Sequence, residues 1–147
     1  MLKTLPPALT PDLLWILAAM GHGDRLVLAN ANYPAYAWHA RHARTVSLPG
    51  VSLVEATRAI AQLMPVDDLT EAPVHHMVAD GERDEVLAVH RDVQQVLEAA
   101  ECRPVAMKPL SRAEFLELAA TAFATVHTTD NRPYGCFVIA KGVVRNP

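Results

Sequence analysis

One stretch stands out for proton chemistry: MGHGD, residues 20–24, which sets His22 between Gly21 and Gly23. An imidazole gives or takes a proton near neutral pH, and no other side chain does so unperturbed. Flanking glycines remove Cβ bulk and permit positive φ, so a small ligand or another backbone can come close. The same residue could equally serve as a polar cap on a helix end.

Two other stretches supply groups that suit a polyhydroxylated ligand. In ANANYP (29–34), Asn30 and Asn32 lie two apart, so on extended backbone their amides project to one side. Each amide offers donors and an acceptor, although asparagines also serve loops and turns. In RPYGC (132–136), Tyr134 brings a flat apolar face with a hydroxyl, and Gly135 an open backbone amide.

The remaining histidines show no closed metal-ligand set. His39 and His42 could share a helical face, but no third ligand follows at zinc-like spacing. His75 and His76 are adjacent, so on a strand they face opposite ways. Cys102 and Cys136 form no C-x-x-C pair and read as reduced thiols or small apolar residues. Phosphate-binding loops, dinucleotide fingerprints and the nucleophile elbow are all missing, so neither nucleotide binding nor serine hydrolysis has support.

These residues need elements to hold them. Thr10, Pro11 and Asp12 make a helix start for PDLLWILAAM, which runs into Gly21. RLVLAN (25–30) is an apolar run of strand length. Ser52 with Glu55 and Ser111 with Glu114 are capping boxes that open two further helices. Between them fall a strand at 73–79, a helix at 84–100 and a strand at 104–108. Two more strands follow, in 123–129 and 134–144. Helical periods alternating with short apolar runs predict one α/β domain over 1–147, a largely parallel sheet with helices on both faces. Ligands of such sheets sit beyond the carboxyl ends of the strands.

Bulk composition narrows the partners. Hydrophobic residues make up 51% of the 147, charged residues 20%, and the net charge is −3 with no basic run. This argues against a nucleic-acid or anionic-membrane surface. The opening stretch carries three prolines and an early acid, unlike a signal peptide, so a cytoplasmic protein is expected.

In their order along the chain, MGHGD, ANANYP, SRAEF and YGCFVIAKGV resemble the ribose pyranase and fucose mutarotase family (RbsD/FucU). The likeness runs nearly end to end and is closer to the fucose branch. It implies an RbsD-like α/β fold and cofactor-free interconversion of anomers or ring forms of a free monosaccharide. L-fucose or a related hexose is the expected substrate, with D-ribose pyranase as the alternative. It further implies a ring-shaped homo-oligomer, often a decamer, with sites near subunit boundaries. Carried over by motif, His22 matches the proton donor and Asn30 stands where the family has a sugar-binding aspartate. Arg112 matches a substrate-contacting arginine, while Tyr134, Gly135 and Cys136 match a Tyr-Gly-Asn triplet. Asp24 and Asn32 are supporting candidates.

Two departures bear on chemistry. An aspartate in place of Asn30 would stabilise protonated His22, which an amide cannot do. Cys136 is a weaker hydrogen-bond partner than asparagine. A non-catalytic sugar-binding or assembly module is therefore kept as a second reading, and a histidine-based metal-dependent isomerase as a third. Mutarotation needs a proton on the ring oxygen and loss of one from the anomeric hydroxyl. His22 would supply the first; Tyr134, Asp24 or a water could take the second.

Overall fold

The computed structural model describes residues 2–37 and 44–145. His39 and His42, considered above as a helical pair, lie outside the described residues.

The chain forms α1 (Pro11–Ala19), β1 (Arg25–Ala29), β2 (Arg44–Leu48), α2 (Leu53–Ala61), β3 (Val74–Met77) and α3 (Ala88–Glu101). β4 (Met107–Leu110), α4 (Arg112–Ala119), β5 (Ala124–Thr128) and β6 (Cys136–Ala140) complete it. One six-stranded sheet results, in the order β2-β5-β1-β6-β3-β4. Five strands run one way; β6 alone is antiparallel to its neighbours, β1 and β3. The sheet is thus largely parallel, as expected, with one reversed strand in its middle.

Helix starts follow the local chemistry. The Thr10 hydroxyl accepts from Leu13 N–H, and both predicted capping boxes are formed, at Ser52–Glu55 and Ser111–Glu114. Several boundaries differ from expectation, β6 ending at Ala140 rather than at 144 among them, and two have a local cause. α3 begins at Ala88 rather than 84, because Leu87 is its extended N-cap and His90 Nδ1 accepts the Leu87 N–H at 3.2 Å. β4 lies at 107–110 rather than 104–108 and contains Pro109, which an edge strand tolerates because a missing donor there can face outward. β2, the other edge, has no counterpart in the sequence reading.

The two sheet faces carry separate cores. Leu26, Leu28, Phe137 and Ile139 meet Leu13 and Ile16 of α1, Leu53 and Ile60 of α2, and Val93 and Leu97 of α3. Val27, Ala29, Cys136 and Val138 point the other way, onto Tyr33 and onto Phe115 and Ala119 of α4. Helices therefore cover both faces, three against one. No described helix is long and apolar enough to cross a membrane.

Candidate functional site

Where β1 ends, the reversed β6 begins: Ala29 is in register with Cys136, and at the other edge Arg25 is in register with Ala140. This places the post-β1 asparagines beside the Tyr134–Cys136 turn, at the carboxyl edge of the sheet. A cleft of about 350 Å³ opens there, bounded by Asn30, Asn32, Tyr33 and Pro34 after β1 and by Pro133, Tyr134 and Cys136 before β6. Met77 of β3 and Arg112 and Leu116 of α4 close it. Five of the residues singled out in the sequence thus share one cleft. Tyr33, Met77 and Leu116 were missed; only their place next to β1, β3 and α4 could have pointed to them.

The Tyr134 turn is held from several sides. Tyr134 has φ 56°, left-handed backbone that costs a non-glycine residue on the order of 1–3 kcal/mol. Asn30, 3% exposed, donates from Nδ2 to the Arg132 carbonyl at 2.8 Å. Arg132 forks onto Asp130 and reaches Asp92 at 2.8 Å, while Asp130 Oδ2 accepts the Leu53 N–H at the start of α2. The Arg132 guanidinium, against the opposing pull of burial, holds the Asp130 carboxyl down to about 2. Gly135 lies within this turn rather than in the cleft lining. A Cβ there would overlap the end of the Leu53 side chain and press on Arg132 O, so glycine lets the turn pack closely onto α2.

Asn30 and Cys136 form a pair. The Cys136 thiol donates to Asn30 Oδ1 at 3.6 Å, and burial pushes that thiol up to about 12, so it stays protonated. Both ends of the Asn30 amide are therefore engaged within the protein. An aspartate could accept from Cys136 but could not donate to Arg132 O. Here Asn30 shapes the cleft wall. Burial, and then Cys136, likewise push the Tyr33 phenol up to about 12. Arg112 is exposed at the first turn of α4, with no ion pair among the described residues.

His22 is not brought to this cleft within one chain. It precedes β1 and lies at the amino edge, where Gly23 N–H donates to Lys141 O at 2.9 Å and Lys141 N–H to Asp24 O at 2.9 Å. The five residues of β1, at about 3.3 Å each, separate the two edges by roughly 16 Å. A residue before a strand and a residue after it cannot share an edge. The turn itself is as expected. Gly23 has φ +82°, and Asp24 Oδ2 takes the Gly21 N–H at 2.7 Å, so Asp24 shapes the turn.

The imidazole has its anionic neighbour after all, but from elsewhere. His22 Nε2 lies 3.1 Å from Oδ1 of Asp67, whose side chain is 1% exposed while the His22 ring is 46% exposed. Burial alone would raise the Asp67 carboxyl. Hydrogen bonds from Leu69 N–H, the Thr70 hydroxyl and His22 outweigh it and hold the group below its usual range. Asp67 thus stays ionised and orients the ring, the duty assigned above to an aspartate at position 30. It was missed because 45 residues separate the partners in sequence. His22 Nδ1 has no protein partner among the described residues.

Amides, a phenol and a guanidinium facing Met77, Leu116 and two prolines make a cleft for a small molecule with polar and apolar sides. Sequence comparison agrees with that class. The chain belongs to the RbsD / FucU transport protein family, whose model matches residues 3–144. It is 39% identical to the L-fucose mutarotase of Histophilus somni over 97% of both chains, and 35% identical to the fucose mutarotase of Homo sapiens over 97% of this chain and 94% of that one. The crystal structure of the fucose mutarotase from Streptococcus pneumoniae in complex with L-fucose is 33% identical. It superposes with a TM-score of 0.85, over 98% of this chain and 100% of that one. Bacillus subtilis RbsD complexed with D-ribose, 24% identical with a TM-score of 0.71 over 99% and 100%, shares the fold.

Proposed function

We propose that the protein is a cofactor-independent monosaccharide mutarotase acting on L-fucose, and that each working site joins the cleft of one copy to His22 of another. Full-length similarity to fucose mutarotases supports the reaction. The single observation behind the shared site is the placement of His22 and the cleft at opposite edges of the sheet. A ring-shaped homo-oligomer, the decamer expected above, would bring such edges together in each pair of neighbours. The amino edge is suited to being covered: Leu69, Val143 and Val144 are exposed there at 66%, 43% and 69%, close to Asp67 and Lys141. A cytoplasmic location is part of the same reading.

The chemistry needs little apparatus. Protonated His22, steadied by Asp67, gives its proton to the ring oxygen as the anomeric hydroxyl releases its own to water held at Tyr134. The bond from C1 to the ring oxygen opens to the aldehyde, which rotates; on reclosure the former ring oxygen returns its proton to His22 and the carbonyl oxygen regains one from the water. General acid–base help of about 10²–10⁴-fold suffices, because water already performs the reaction slowly. Arg112 and Asn32 hold hydroxyls, and Met77 with Leu116 faces the methyl group of a 6-deoxy sugar. Saturating one anomeric proton of L-fucose and following its transfer to the other anomer by NMR tests the reaction. Exchange well above the buffer rate is expected, weaker for a sugar bearing a 6-hydroxyl. Saturable binding with no gain in rate would favour the non-catalytic reading instead.

A further inference from the structure

Behind the cleft, on the α3 side of the sheet, lies a pair of buried histidines that the reaction does not use. His90 is fully buried and His76 is 4% exposed; their ring centroids are 4.3 Å apart. Phe137 meets His90 edge-on at 5.9 Å. The bonds of His90 fix its tautomer. Leu87 N–H donates to Nδ1, so that nitrogen carries no proton, and Nε2–H donates to the Tyr134 carbonyl at 3.1 Å. One imidazole therefore ties the α3 N-cap to the residue whose left-handed backbone aims a phenol into the cleft.

We propose that His90 is a positioning residue that holds Tyr134 in its left-handed conformation, and that it does so only while the His76–His90 pair is neutral. This rests on the reading of the cleft as the sugar site. Protonating His90 places a hydrogen on Nδ1, which opposes the Leu87 N–H and breaks the link to α3. Both ring nitrogens of His76 are buried without a partner among the described residues, so nothing nearby accepts a proton from a charged His76. A charge on either ring would lie within touching distance of the other. The titratable and charged groups facing the pair are His75 beyond His76 on β3, and Glu85 and Arg91 at the start of α3. The Tyr134 and Met77 carbonyls, and then Glu85, favour the charged form of His90, and Arg91 opposes it. Burial dominates for both histidines, and His76 is pushed down to about 4. The folded protein thus resists protons that the unfolded chain accepts near pH 6.5, and the pair weakens the fold as pH falls from there toward 4.

The test compares His90→Leu and His90→Gln with the wild type. Glutamine can donate to the Tyr134 carbonyl and accept from Leu87 without titrating. With L-fucose, His90→Leu is expected to raise KM by about tenfold and to lower kcat by about tenfold, because Tyr134 holds both the sugar and the water that takes the anomeric proton. His90→Gln is expected to keep KM within about threefold of wild type. Between about pH 6.5 and 4 the Tyr134 ring resonances of the unliganded protein should follow an acid transition in the wild type and none in His90→Gln. Wild-type KM in His90→Leu, or a transition of Tyr134 in that pH range that survives in His90→Gln, would overturn the proposal. Should His90→Leu not fold, the His90→Gln titration decides. Should the wild type not exchange anomers, the mutarotase reading fails, and the Tyr134 resonances still decide the role of His90.

Discussion

His22→Ala is expected to slow L-fucose anomer exchange by about 10²–10⁴-fold while leaving sugar affinity within a few-fold and thermal stability close to wild type. The expectation follows from where the ring sits. It is about half exposed, on a turn whose shape is kept by the Gly21–Asp24 bond and by Gly23, so its truncation opens no cavity. What is lost is the proton donor that Asp67 orients. Asp67→Asn would leave a neutral partner on Nε2 and should slow exchange less, because the imidazole remains. A His22→Ala protein that exchanges anomers as fast as wild type would remove this residue from the mechanism.

Arg132→Ala is expected to cost about 3 kcal/mol of stability and to raise KM for L-fucose by an order of magnitude or more. The guanidinium bridges Asp130 of the turn to Asp92 of α3, and Asp130, 6% exposed on its side chain, caps the start of α2. Removing the cation strands a buried carboxylate beneath the Tyr134 turn. For a domain of this length the loss corresponds to a fall of roughly 6–12 °C in Tm. The same pair sets an acid dependence. Because Asp130 is held at about 2 in the folded state against 3.8 unfolded, it contributes about 2 kcal/mol above pH 4. That contribution fades as pH falls from about 4 to 2. Thermal melts of wild type and Arg132→Ala across pH 2–7 should converge at the acid end; parallel curves would mean that the pair adds nothing.

Much of this arrangement was legible in the residues. Apolar runs and capping boxes marked most elements, since Ser-x-x-Glu before an apolar stretch satisfies helix-end donors in only one way. The carboxyl-edge rule placed Asn30 and Asn32 correctly, and five candidate residues meet in one cleft. The reversal of β6 was not legible. An apolar strand reads the same in either direction, yet this reversal is what brings Tyr134 to the end of β1 and sends Lys141 to the Gly23–Asp24 turn. The two-edge geometry rests on His22 preceding β1 and Asn30 following it, whereas Asp67 was missed because its contact with His22 depends on a loop far along the chain. Asn30 illustrates the remaining gap: a side chain that suits a sugar is instead occupied at both ends by Arg132 and Cys136.

Whether the working site spans two copies can be measured by co-expressing His22→Ala and Tyr134→Ala chains and following L-fucose anomer exchange in the mixed assembly. Each variant alone should be nearly inactive. In a random equal mixture about one site in four would pair an intact cleft with an intact His22 from its neighbour, and exchange should recover to about a quarter of wild type. A mixed assembly no more active than the two variants assayed apart would contradict the shared site, because a site built within one chain lacks one of the two groups in every copy.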